Sequence, residues 1–256
     1  MSIPSRSFLL RHQLISKLAD WNFPGLKKIS IALPKLLLPD PAKTGKHRLR
    51  TLHGIELIID PSVDKGDSLT LFQNGTYDKE TVHLLGEFIK PGSTFIDIGA
   101  TIGLLSVVAS QLAGENGKVF AVEADPVIAA LLLENLELNS CSNAEVIGGL
   151  SYSDAATANR IFAAARPDVV RIHSPGSETE ILESAKSALL AYFPVLIISD
   201  PQDGKAIAGF IKSLGSYAVF RQKGNGKKRA LIEMTGESEL LTVKSMIAVP
   251  LRKSAK

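Results

Sequence analysis

The sequence predicts an α/β protein built on a doubly wound, mostly parallel sheet, preceded by an N-terminal helical extension and a β-hairpin. Three observations predict it. Short strand-like runs alternate with helical patterns through short connections, as in a sheet with helices on both faces. The run Thr94-Phe-Ile-Asp97-Ile meets a small-residue turn, Gly99-Ala100-Thr-Ile-Gly103, and an apolar helical pattern follows from Ile102 to Leu112. Lys118-Val-Phe-Ala-Val-Glu123-Ala-Asp-Pro126 then reads as a buried strand with an acid at its tip. Asp125 and Pro126 supply the N-cap and first turn of the next helix.

The remaining elements follow in order. Phe8 to Trp21 carries Leu10, Leu14, Leu18 and Trp21 at helical spacing, an amphipathic helix that would cap the domain. Its Arg- and Ser-bearing, acid-poor start also resembles a transit peptide. Ile29 to Leu38 is a second apolar stretch, and Lys43 to Arg50 reads as a basic linker. The chain thus divides into a basic extension and linker over 1–50 and an α/β domain over 51–256. Leu52 to Ile59 and Ser68 to Phe72 read as two strands of a hairpin around a turn-rich segment. Lys79 to Ile89 is a helix.

Beyond the helix from Asp125 to Leu138, strands are expected at Ala144–Ile147, Val169–Ile172 and Pro194–Ser199. Helices are expected at Glu178–Leu190 and Lys205–Leu214, and a closing hairpin joins Tyr217–Arg221 to Arg229–Met234. Ala155 to Arg166 is Ala-rich without a clear period and receives no assignment.

Composition narrows the function classes. The chain has 256 residues, 45% hydrophobic and 21% charged, ordinary for a globular protein. A single cysteine, Cys141, excludes an internal disulfide and a cysteine-rich metal site, fits a reducing compartment, and makes a cytoplasmic location the expectation. No apolar run approaches the ~18 residues of a membrane span. Net charge is +3, unevenly placed: the first fifty residues hold ten Lys or Arg against Asp20 and Asp40, leaving −5 for the rest. That basic segment suits peripheral contact with a membrane surface, a nucleic acid or an acidic partner, or serves only as a solvated flank.

The glycine turn is where open α/β sheets bind nucleotide-like ligands. Neither G-x-G-x-x-G nor a G-x-x-x-x-G-K-[ST] loop is present, so a pyrophosphate is disfavoured. A carboxylate at the strand end, Asp97, favours instead a ligand bearing an ammonium, as S-adenosyl-L-methionine does. Gly99 permits a backbone that a Cβ obstructs, and Gly103 permits close approach of ligand or strand. Glu123 would take the two ribose hydroxyls of an adenosine. Read as architecture alone, the same residues make a tight strand-to-helix turn and a solvated strand end.

At this point the chain resembles the FkbM-type methyltransferases of the class I S-adenosylmethionine-dependent enzymes. The resemblance runs through Gly75-Thr-Tyr77-Asp78, Lys90-Pro-Gly-Ser-Thr-Phe-Ile-Asp97-Ile-Gly-Ala-Thr-Ile-Gly103 and Val122-Glu123-Ala-Asp-Pro126. It continues in Glu134-Asn135-Leu-Glu-Leu-Asn139 and Ser151-Tyr-Ser-Asp154, covering roughly residues 50 to 200. It implies a seven-stranded Rossmann-like fold and a cofactor site at Asp97, Gly99, Ala100, Gly103 and Glu123, with Asp154 near the adenine. Tyr77 and Asp78 become lid residues over the cofactor mouth. The implied reaction is methylation of a hydroxyl on a small metabolite or glycan, with no nucleic-acid partner.

The fourth strand departs from that family. Where the family shows Lys-Ile-Asp-Val-Glu-Gly, this chain has Arg171-Ile-His173-Ser174-Pro175-Gly176. His173 then serves as a general base, since an imidazole titrates near pH 6.5. The alternatives are a loop histidine with catalysis by positioning alone, and a degenerate protein that binds the cofactor or acts as a scaffold. The other histidines have no metal-ligand spacing.

Overall fold

The structure is a computed structural model and describes residues 38, 40, 43, 45–51, 54–74, 78–149, 155–223, 230–234 and 243–251. The helix expected over Phe8 to Trp21, the second apolar stretch before Leu38, and Tyr77 and Asp154 lie outside the described residues.

An antiparallel hairpin pairs β1 (His47–Arg50) with β2 (Glu56–Ile59), with Leu49 opposite Leu57. The hairpin was expected one step later, between Leu52–Ile59 and Ser68–Phe72, and the basic "linker" holds its first strand. The second expected strand is a helix, α1 (Asp67–Asn74). Its start is fixed by Asp64, whose carboxylate accepts the Gly66 N–H at 2.8 Å and the Ser68 N–H at 2.7 Å. Side-chain capping of this kind outweighs the weak strand propensity of a short apolar run. Helix α2 (Lys79–Phe88) follows, its N-cap Asp78 accepting from the Thr81 N–H.

The main sheet is built from β3 (Thr94–Ile98), β4 (Lys118–Glu123), β5 (Ala144–Gly148), β6 (Val169–Ile172), β7 (Val195–Ser199), β8 (Tyr217–Lys223), β9 (Ala230–Glu233) and β10 (Ser245–Pro250). Their order is β5-β4-β3-β6-β7-β10-β8-β9. The pairs from β5 through β7 are parallel, and β10 runs antiparallel between β7 and β8. The doubly wound, mostly parallel sheet is therefore present, with eight strands among the described residues where seven were expected. The expected partner of β8 is found in β9, but β10 on its other side has no counterpart in the sequence reading.

Helices α3 (Leu104–Ala113), α4 (Pro126–Leu138), α5 (Ala155–Ala165), α6 (Glu178–Ser184), α7 (Lys186–Tyr192) and α8 (Gly204–Ser213) cover the two faces. The single helix expected over Glu178–Leu190 is broken at the buried Ala185 into α6 and α7. The unassigned Ala-rich segment is α5, anchored by the enclosed Phe162.

Period-two alternation divides the sheet between two cores. Phe95, Val169, Ile197 and Ile247 join the hairpin, α1 to α4 and their connections. Ile96, Ile98, Val170, Ile172, Leu196 and Ile198 join α5 to α8. Cys141 sits in the first core, where burial pushes its thiol up, so it behaves as a packed hydrophobe. Among the described residues, no helix is long and apolar enough to cross a membrane.

Asn135 of α4 locks the hairpin onto this scaffold. It is fully buried; its Oδ1 accepts the Ile58 N–H at 2.6 Å, and its Nδ2 donates to the carbonyls of Ile58 at 2.9 Å and Ile102 at 2.8 Å. One side chain thus satisfies both β2 and the glycine turn. Asn135→Ala leaves these backbone groups unpaired, at about 1–3 kcal/mol for a buried orphan. Urea unfolding should register a loss of at least about 2 kcal/mol.

Candidate active site

The turn between β3 and α3 carries three left-handed residues in five: Gly99 (φ 75°), Thr101 (φ 50°) and Gly103 (φ 90°). Gly99 is required by packing. A Cβ there would stand 1.9 Å from the His173 carbonyl oxygen, so the turn lies directly on the backbone that leaves β6. At Gly103 a Cβ would stand 2.4 Å from Leu132 Cδ1, so this glycine makes room for helix α4. Ala100 is enclosed, with its N–H bonded to the Val122 carbonyl at 3.0 Å and its carbonyl accepting from the Gly103 N–H.

Thr101 is held in a conformation that costs a β-branched residue of order 1–3 kcal/mol. Its N–H donates to Glu123 Oε2 at 2.9 Å, and its hydroxyl lies between the Asp67 carboxylate and the Ala100 carbonyl. Glu123, at the tip of β4, accepts the Asp125 N–H on Oε1 at 3.0 Å. Each oxygen of this buried carboxylate thus carries one backbone N–H, and each keeps a second acceptor direction. Glu123 is accordingly oriented by the very turn that it was expected to serve.

Asp97 is placed differently from the sequence expectation of a carboxylate open to a ligand. It has no solvent exposure. Its Oδ1 takes Nη1 of Arg171 at 3.0 Å and its Oδ2 takes the Ser106 hydroxyl at 2.7 Å. Asp97 and Arg171 are register partners in adjacent parallel strands, so both side chains leave the same face of the sheet. Arg171, only 1% exposed, also donates to the Gly99 carbonyl at 2.9 Å and, through Nε, to Ser199 Oγ at 3.3 Å. Sequence reasoning quoted Arg171 without giving it a role. The available signal was a lone cation inside the apolar run Val169-Val-Arg171-Ile172, which needs a buried acid nearby.

Arg171 forms part of the wall of a cavity of about 390 Å³ at the carboxyl ends of the strands, with Asp67, Asp78, His173, Ser199 and Asp200 among the other lining residues. Half-buried His173 and Asp78, which the sequence reading expected over the cofactor mouth, are thus brought together beside Arg171. His173 is fixed by its backbone, its N–H donating to the Ile98 carbonyl at 2.8 Å. The loop after it is stapled by Glu178, buried, which accepts the Gly176 N–H at 2.9 Å and the Gln202 N–H at 3.3 Å. The acid retained downstream of His173 therefore ties the β6 loop to the β7 loop. Among the described residues no cluster of His, Cys, Asp and Glu has the geometry of a metal site.

Residues 75–170 match the family model of ribosomal protein L11 methyltransferase (PrmA). A ribosomal protein L11 methyltransferase from Acetivibrio thermocellus is 38% identical over 81 residues, covering 31% of this chain and 25% of the relative. A probable cobalt-precorrin-6B C(15)-methyltransferase (decarboxylating) from Sulfolobus acidocaldarius is 45% identical over 58 residues, 23% of this chain and 30% of the relative. The chain thus spans less than a third of the length of these curated relatives. Among solved structures, an O-methyltransferase from Bacillus cereus in complex with SAH superposes with a TM-score of 0.50 at 15% identity, covering 68% of this chain and 82% of that one. The fold is that of a class I methyltransferase, Rossmann-like with a mostly parallel sheet.

The same matches correct the sequence reading twice. The family model that matches is PrmA, not FkbM. The quoted FkbM motifs lie largely around the glycine turn and the acid-tipped strand, which methyltransferases of one fold share, while the β6 motif that would distinguish the family is the one that departs. With that resemblance falls the acceptor it implied, a small molecule or glycan with nucleic acid excluded, because the matching family model and several of the relatives that match part of this chain are named for a ribosomal protein.

The buried pair gives a test of the site's foundation. Arg171→Met strands the Asp97 charge and should cost about 3–5 kcal/mol in denaturant unfolding. Adding Asp97→Leu should recover most of that loss, because a vacant partner, not the missing ion pair, is what destabilises.

Proposed function

We propose that this chain is an S-adenosylmethionine-dependent methyltransferase whose acceptor is a protein. The observation that carries the reading is Glu123, a buried carboxylate held by two backbone N–H groups beside the Gly99–Gly103 turn at the strand ends. Its remaining acceptor directions fit a vicinal ribose diol, so the residues present suit the adenosine end of the cofactor. Asp154, read as an adenine neighbour, remains part of the proposal.

When bound, the cofactor supplies an electrophilic methyl group on a sulfonium. The chain's own residues align the acceptor and receive its proton. His173 lines the cavity at the end of β6, where its imidazole stands as the general base for that proton. The lining acids Asp67, Asp78, Glu80 and Asp200 outnumber the lining cations Lys79, Lys244 and Arg171, the last of which also pairs with Asp97. That balance favours an amine over an anionic acceptor. The family match over residues 75–170 supports a protein as its bearer.

Calorimetric titration with S-adenosylmethionine and S-adenosylhomocysteine tests the cofactor. Wild-type protein should bind both, and Glu123→Ala should weaken each by at least about tenfold, the value of one or two charge-assisted hydrogen bonds. Absence of binding by the wild type would overturn the reading. Transfer of radiolabelled methyl to purified ribosomal protein L11 tests the acceptor, and unlabelled L11 would count against it. In that assay His173→Ala should lower kcat by about 10²-fold or more while leaving cofactor affinity intact.

A further inference from the structure

The distribution of charge around Arg171 does not match a site in which Asp97 meets the cofactor's ammonium. Asp97 is enclosed, and its two oxygens are bonded to Arg171 and Ser106. Its charge is therefore spent inside the sheet. Arg171, by contrast, reaches the cavity wall. Its Nη2 faces Asp78 Oδ2 across 3.9 Å, a separation that leaves Coulomb attraction but exceeds a hydrogen bond. Asp78 is itself oriented: Oδ1 accepts the Thr81 N–H at 3.1 Å, and the residue holds φ 45° at the start of α2. Arg171 is 1% exposed and Asp78 20% exposed at their side chains, so both charges are largely removed from water.

A cation and an anion set at that distance on one wall have the opposite polarity to an amino-acid headgroup. We propose that Arg171 and Asp78 form a two-ended clamp for the amino-acid end of S-adenosylmethionine. Arg171 Nη2 takes the α-carboxylate and Asp78 Oδ2 takes the α-ammonium. The ligand's two charges then replace the loose contact between the two residues with two charge-assisted hydrogen bonds. Asp97 becomes a positioning residue that fixes the guanidinium from below, with Ser199 and the Gly99 carbonyl bracing it. Asp78 opens helix α2, so binding of the headgroup would also fasten that helix over the strand ends. This assignment rests on the S-adenosylmethionine reading above.

The test compares S-adenosylhomocysteine with two analogues: 5′-methylthioadenosine, which lacks the amino-acid end, and decarboxylated S-adenosylhomocysteine, which keeps the amine alone. Asp78→Asn is the first variant, because its amide oxygen can still cap Thr81 while the charge is lost. It should weaken S-adenosylhomocysteine and the decarboxylated analogue by about tenfold or more and leave 5′-methylthioadenosine unchanged. Arg171→Lys keeps a cation beside Asp97 but loses the fork. It should weaken S-adenosylhomocysteine alone. Equal weakening of all three ligands, or of none, would overturn the clamp while sparing the cofactor reading. Failure of the wild type to bind any of the three would remove both.

Discussion

One buried ion pair, Arg171 with Asp97, ties the fold to its candidate site. Two full charges in the middle of a parallel sheet are tolerable only because each is answered at short range. Asp97 is met by Arg171 and Ser106, and Arg171 by Asp97, Gly99 and Ser199. Those partners belong to β3, β6, β7, the glycine turn and helix α3. The same bonds that neutralise the charges thus set the relative positions of the elements whose ends form the cavity floor. Stability and site geometry are coupled here.

The glycine turn shows a similar economy. Gly99 yields to the backbone at His173, Gly103 to Leu132, and Thr101 accepts a strained φ to place its N–H on Glu123. Asn135 then holds the far side of the turn at Ile102 while fastening β2. A carboxylate presented at a strand tip needs such support, since an exposed and unheld side chain would lose rotamer entropy on meeting a ligand. Here that ordering is already complete.

The central strands and helices were legible because each carries a local signal: β-branched runs, Asp125 with Pro126 at a helix start, glycines at a tight turn. The strand expected at Ser68–Phe72 is instead the helix Asp67–Asn74, because that helix depends on Asp64, a cap that lies outside the apolar run itself. Strand β10 pairs with β7 and β8, residues far away in the chain, and no local pattern announces such a partner. At the site, the types and spacing of Gly99, Gly103, Glu123 and His173 could be read. The neutralisation of Asp97 could not, because it depends on the register that sets Asp97 beside Arg171. The family reading failed for a related reason: motifs that build a shared cofactor turn do not identify the acceptor.

The insertion of β10 has a temporal consequence. During synthesis, β7 and β8 emerge with a gap between them, and the strand they share as a neighbour is missing until Ser245–Pro250 leaves the ribosome. Until then the edge of β7, beside Ser199, offers unpaired backbone groups to any other extended chain. The parallel half can assemble early, whereas closure of the sheet is a late event. Nascent chains stalled between residues 223 and 245 would be the ones in greatest need of a chaperone.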